Sequence, residues 1–188
     1  LGAREFHAQQ IFRWLHHRGH DRFEEMTDLS LGLRQKLDEA CVITTPTVTS
    51  RELSTDGTQK FLFTLSDGRA IESVFIPDTP ALTLCISTQV GCAMRCSFCL
   101  TGQMGLTRNL TAGEIAGQVR ILVRELDLRD RRFNIVLMGM GEPLHNYDAT
   151  MKALRILAVP NGLGLTPRRI TLSTVGILPA LARLGDEQ

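Results

Sequence analysis

Leu82-Thr83-Leu84-Cys85-Ile86-Ser87-Thr88-Gln89-Val90-Gly91-Cys92-Ala93-Met94-Arg95-Cys96-Ser97-Phe98-Cys99 decides the fold. Leu82 to Val90 reads as a strand, and Gly91 opens a loop carrying three cysteines. Strands and helices alternate downstream. Thr111 to Leu126 is predicted helical, with a Thr-x-x-Glu capping box from Thr111 to Glu114. Phe133 to Met138 is an apolar run of the buried parallel type. Asn146 to Leu157 reads as helix, Arg169 to Ser173 as strand and Ile177 to Leu184 as helix. Three strand–helix units in series predict a parallel sheet with right-handed crossovers, doubly wound or barrel. A full (β/α) barrel takes about 250 residues, roughly 30 per unit. The stretch 81–188 therefore holds a little over three units, and the expectation is an α/β fold with an incomplete barrel.

Upstream the texture changes. Residues 42–80 read as a β-hairpin extension and linker. Phe61 to Leu65 and Ala70 to Ile76 flank the turn Ser66-Asp67-Gly68, and Pro77-Asp78-Thr79-Pro80 forms the linker. Residues 1–41 read as a helical accessory region. Phe6, Ile11, Phe12, Trp14 and Leu15 recur at helical spacing, and Gly19 stops that run. Thr27-Asp28 then provides an N-cap signal before Leu29, Leu31, Leu33 and Leu37. His7, His16, His17 and His20 lie here beside Arg13, Arg18 and Arg22: a solvated helix face, or an RNA-backbone contact. Six Lys/Arg against seven Asp/Glu give that contact no support from charge.

The 188 residues carry 43% apolar and 22% charged side chains, as an ordinary globular chain does. A net charge of +1 excludes a strongly basic wrapper of nucleic acid. No apolar run is long enough to span a membrane. The start at Leu1 and the end at Gln188 read as a chain cut at both ends. Five cysteines, three of them close together, suit a cytoplasmic metal or redox site better than a disulfide scaffold.

The loop is C-x3-C-x2-C: Cys92, Cys96 and Cys99. Structural zinc wants four protein ligands, and no fourth cysteine lies nearby. Three thiolates can hold a four-iron cluster with one iron open. Zinc, or three merely structural cysteines, are the competing readings.

This loop after the first strand of a βα series, with Phe98 just before the last cysteine, resembles the radical S-adenosylmethionine (SAM) superfamily. Gln89 to Cys92, Phe98 to Gly102, Arg108 to Thr111 and Gly139-Met140-Gly141-Glu142-Pro143-Leu144 resemble the RlmN/Cfr-type RNA adenine methyltransferases. The likeness is nearest to the housekeeping rRNA/tRNA C2-methylating branch. It implies a [4Fe-4S] cluster on Cys92, Cys96 and Cys99, with SAM chelating the open iron. Gly141, Glu142 and Ser173 become SAM-binding residues; on the residues alone they read as a tight turn with an N-capping carboxylate and as a helix cap. Cys85 becomes the resolving thiol, where its strand suggests a small buried hydrophobe. Glu72 becomes the proton acceptor, where alternation suggests an outward carboxylate. Phe98 packs on the adenine side or in the core, and Cys41 is a plain core residue. The resemblance further implies 23S rRNA and tRNA as partners, an electron donor such as flavodoxin, and a disulfide formed in the reaction. Its methyl-accepting cysteine falls beyond Gln188, so the chain as given is expected to bind a cluster weakly and not to turn over. A different radical SAM enzyme, such as a glycyl-radical activase, and a zinc-bearing RNA-binding module are the alternatives.

Overall fold

In the computed structural model, which describes residues 2–77 and 81–187, period-two burial of Phe61, Phe63, Ile71, Ser73 and Phe75 organises the first half of the sheet. The strands are β1 Thr47–Leu53, β2 Gln59–Thr64, β3 Ala70–Ile76, β4 Leu82–Cys85, β5 Gln89–Gly91, β6 Leu106–Asn109, β7 Phe133–Leu137 and β8 Ile170–Leu172. The helices are α1 Glu5–His16, α2 Leu31–Ala40, α3 Leu100–Met104, α4 Ala112–Glu125, α5 Tyr147–Ala158 and α6 Leu178–Gly185. Six strands form one sheet in the order β1-β2-β3-β4-β7-β8. Pairing is antiparallel from β1 to β4 and parallel from β4 through β7 to β8. The α/β expectation holds, and the sheet is open at both edges among the described residues. The hairpin extension β2–β3 joins the parallel strands in one sheet through the antiparallel pairing of β3 with β4. Residues 78–80 of the expected linker lie outside the described residues.

One face of this sheet is covered. Leu84, Ile135 and Leu137 join Phe61, Phe63 and Phe75 against the apolar stripe Ile115, Val119 and Leu122 of α4. That helix begins as its sequence predicts: Thr111 Oγ1 accepts from Glu114 N, and the Glu114 carboxylate accepts from Thr111 N. Glu114 also takes both terminal nitrogens of Arg108, whose Nε reaches Asp67 in the β2–β3 turn. The hairpin, β6 and α4 are thereby tied at one point.

Three expectations are corrected. Leu82 to Val90 is two strands, because the chain leaves the sheet after Ile86. Ile86 N still donates to Val136 O, but Ser87 N donates to the Gln118 side chain, and Thr88 N and Gln89 N donate to Met140 O. β5 then pairs with β6 in a separate ribbon, which the reading of this stretch as loop missed along with α3. The second helix is capped by Ser30, which accepts from Leu33 N, and not by Thr27-Asp28. Asp28, itself exposed, instead accepts from Trp14 Nε1 at 2.5 Å at the edge of a small core of Trp14, Phe23, Met26, Leu29 and Leu37. Cys41 is exposed, since it follows α2 as an outward extended residue.

The end of α1 docks on the α5–β8 turn. Gly162 packs against Phe12 and His16, and its carbonyl lies 3.2 Å from His17 Nδ1. Burial, helped by the nearby Arg120 charge, holds the His16 imidazole down to about 4. His16 is thus neutral in the fold, whereas the unfolded chain takes up its proton below about 6.5. Stability therefore falls as pH drops from about 6.5 towards 4, by roughly 2–3 kcal/mol for this group. A His16→Gln variant should flatten that part of the curve of melting temperature against pH.

Candidate functional site

β4 register places the candidate residues. Cys85 stands opposite Val74 on β3 and Val136 on β7, and paired residues share a sheet face. Glu72, two positions before Val74, lies on that same face, a diagonal neighbour of Cys85 at about 7–8 Å between backbones. Thr171 pairs with Val136, so Ser173, two residues on, points the same way. This is the face that α4 does not cover. Glu72 is 46% exposed and pairs at 3.3 Å with Lys60, which also reaches Glu52. Burial pushes the Cys85 thiol above its ordinary range, so near neutral pH it carries its proton.

The loops gather at the C-terminal ends of the parallel strands. After β7, Glu142 is 3% exposed and its carboxylate is fully engaged with neighbouring loops. It accepts from Leu144 N at 2.9 Å, Thr174 Oγ1 at 2.6 Å and Val175 N at 2.9 Å, so it locks the β7 loop to the loop after β8. Glu142 N donates to Gln89 Oε1 at 2.8 Å. A β-carbon on Gly141 would lie 2.6 Å from the Gln89 side chain, so backbone and glutamine touch there. The Glu142 carboxylate thus serves the turn, while Ser173 beside it is exposed.

Beneath these loops lies a polar layer that sequence reading missed. Gln118 is fully buried on α4. Its Oε1 accepts from Ser87 N and Ser73 Oγ, and its Nε2 donates to Ser87 O. Ser87 Oγ donates to the Glu72 carbonyl at 2.6 Å and accepts from Met140 N. Asn146 holds the carbonyls of Thr88 and Leu110. The one available signal was polar Gln118 inside an apolar helical stripe. Gln118→Leu would strip both Ser87 backbone groups of partners, and urea denaturation should show a loss of about 3 kcal/mol.

The cysteine loop is set by backbone contacts. Cys92 N donates to Gly105 O, Cys99 N to Cys96 O, and Arg95 takes a positive φ of 48°. Cys92 is buried, Cys96 and Cys99 are half-buried, and all five cysteines are free. Phe98 is 91% exposed, so it is not core. Among the described residues no three His, Cys, Asp or Glu side chains converge as they stand to hold a metal ion. The loop's donors suit iron–sulfur chemistry all the same: Cys92, Cys96 and Cys99 are its thiols, and no carboxylate or imidazole lies between them.

Residues 86–187 match the model of the Radical SAM superfamily. The chain belongs to the radical SAM superfamily. Residues 1–43 also match the ribosomal RNA large subunit methyltransferase N-terminal domain. Curated relatives of this chain carry the name dual-specificity RNA methyltransferase RlmN, and two of them serve as examples. The one from Syntrophobacter fumaroxidans is 50% identical over 187 residues, covering 100% of this chain and 55% of the relative. The one from Geobacter sulfurreducens is 51% identical over 184 residues, covering 98% and 50%. A radical SAM methyltransferase of known structure from Sphaerobacter thermophilus superposes with a TM-score of 0.91 at 44% identity, over 99% of this chain and 55% of that one. The resemblance read from the motifs is borne out. The chain spans about half the length of the curated relatives it matches. No helix among the described residues is long and apolar enough to cross a membrane.

Proposed function

We propose that this chain forms the N-terminal and central part of a radical SAM methyltransferase acting on C2 of adenine in 23S rRNA and tRNA through a methyl-cysteine intermediate. The observation that carries this reading is the placement of Cys85 and Glu72 on one open sheet face, below the three-cysteine loop. A generic radical SAM enzyme needs neither residue there. Cys92, Cys96 and Cys99 would hold a [4Fe-4S] cluster, and the Gly141-Glu142 turn with Ser173 would receive SAM. When bound, these groups supply the electron, the radical and the methyl carbon.

The chain's own residues do the rest. Glu72, half-exposed on the open face, accepts the proton that leaves adenine C2. Cys85, once it loses its proton, attacks the thioether sulfur that joins RNA to protein; a disulfide forms as the carbon–sulfur bond breaks, the electron pair of that bond stays with the methylene carbon, and that carbon takes a proton from solvent as methylated RNA departs. Burial of Cys85 keeps the thiol protonated and unreactive until then. The region 1–41 helps to position folded RNA, recognised by shape. An electron donor such as flavodoxin and a cytoplasmic setting belong to the same reading.

The test is anaerobic reconstitution of the chain with iron and sulfide. A brown protein with about four irons supports the proposal. A colourless protein holding stoichiometric zinc overturns it in favour of a zinc-bearing RNA-binding module.

A further inference from the structure

The α4–β7 loop reads Asp127-Leu128-Arg129-Asp130-Arg131-Arg132, and the turn into β8 adds Arg168 and Arg169. Both lie at the N-terminal ends of the parallel strands, opposite the cysteine loop. The segment after α1 joins them: Arg129 Nη2 donates to the Arg18 carbonyl at 2.5 Å and packs against Gly19. Arg169 Nη1 lies 3.5 Å from the carbonyl of Phe133, the residue after Arg132. Six arginines are thus brought to one end of a molecule whose net charge is only +1.

Little nearby neutralises them. None of the six forms an ion pair among the described residues. Asp127 and Asp130 are the only carboxylates in the two loops. Asp21, on the adjoining segment, is paired with Arg124. Arg131, Arg132 and Arg168 are exposed, and among the described residues their side chains make no hydrogen bond. The patch contains no lysine, and the planar guanidinium fork matches phosphate oxygens two at a time. None of the exposed large apolar side chains lies in these loops, so nothing here would insert into a membrane.

We infer that this end of the molecule is a docking surface for the phosphate backbone of folded RNA, remote from the base being modified. The RNA partner rests on the function proposed above; the surface and its position do not. β7 separates the patch from the candidate site by about 17 Å of strand. One short single strand threaded into the site would not reach it, whereas a stem continuing past the target would.

The experiment is a fluorescence-anisotropy titration of the whole chain with a labelled RNA stem-loop over a range of salt. Arg131→Gln/Arg132→Gln/Arg168→Gln should weaken binding about 10-fold or more. It should also lower the slope of log K against log salt by about 2–3, as loss of three phosphate contacts requires. Arg51→Gln/Arg69→Gln/Lys152→Gln removes the same charge elsewhere and should change affinity less than about 2-fold. Equal losses in the two triple variants, an unchanged slope in the first, or no RNA binding by the parent chain each overturn the inference. A polyglutamate peptide bound as tightly as RNA, with the same loss in the first variant, would reassign the surface to an acidic protein. The patch variants should load iron as the parent does, so failure of the surface and failure of the proposed chemistry are read separately.

Discussion

Alanine at any one of Cys92, Cys96 or Cys99 should reduce iron retained after anaerobic reconstitution to background, while Cys85→Ala retains the parent amount. The asymmetry follows from position. Cys92, Cys96 and Cys99 share one loop whose backbone is closed by Cys92 N to Gly105 O and Cys99 N to Cys96 O. Cys85 is on β4, its side chain on the open face and its main chain bonded into the sheet. A cluster with three thiolate ligands tolerates no further loss, and thiolate-poor sites do not hold iron–sulfur centres. Iron and acid-labile sulfide assays, with the charge-transfer absorption of the cluster, provide the readout. Equal iron loss in Cys85→Ala would show that the ligand set is wrong.

Gly91→Ala should be the most destabilising single methyl in the chain. Gly91 has φ 76°, and a β-carbon there would lie 1.8 Å from the carbonyl oxygen of Gly105. That oxygen belongs to the main chain and accepts from Cys92 N, so it cannot swing aside without opening the cysteine loop. Two backbones must separate, and β5 with β6 must come apart. A loss above about 4 kcal/mol is expected, in the exceptional range that overpacking against main chain together with backbone strain can reach. Gly68→Ala is the control: its φ is 78° but nothing lies within 4 Å, so only the left-handed conformation costs, about 1–2 kcal/mol. Urea midpoints of the two variants measure the difference, and similar midpoints would refute the clash.

Local rules carried much of the fold. The Phe61–Phe63 alternation, the Ser66-Asp67-Gly68 turn and the Thr111–Glu114 box each act within a few residues, and each appears as expected. The errors came where a distant partner decides. The break after Ile86 depends on Gln118, 31 residues beyond Ser87. Asp28 is an acceptable cap by type, but Trp14 needs its carboxylate more, since an indole N–H at a core edge requires an acceptor. At the candidate site, the cysteines and the Gly141-Glu142 turn were legible as motifs. The donors that Glu142 actually serves, Thr174 and Val175, lie more than 30 residues on and carry no motif. Nor does spacing reveal that Cys85, Glu72 and Ser173 share a face, because that depends on strand register.

The two margins of the sheet differ in character. β1 is blunted: its register slips between Val48 and Ser50, and Arg51 and Glu52 stand on it. β8 is uncharged within Ile170–Leu172 and straight in its pairing with β7. A kinked, charged margin repels another strand, whereas a regular uncharged one offers its free amides and carbonyls as a template. The two open margins are therefore unequally guarded. A strand added next to β8 would stand in line with the loops that carry Glu142 and Ser173, whereas the bulge and charges of β1 guard the opposite margin against such pairing.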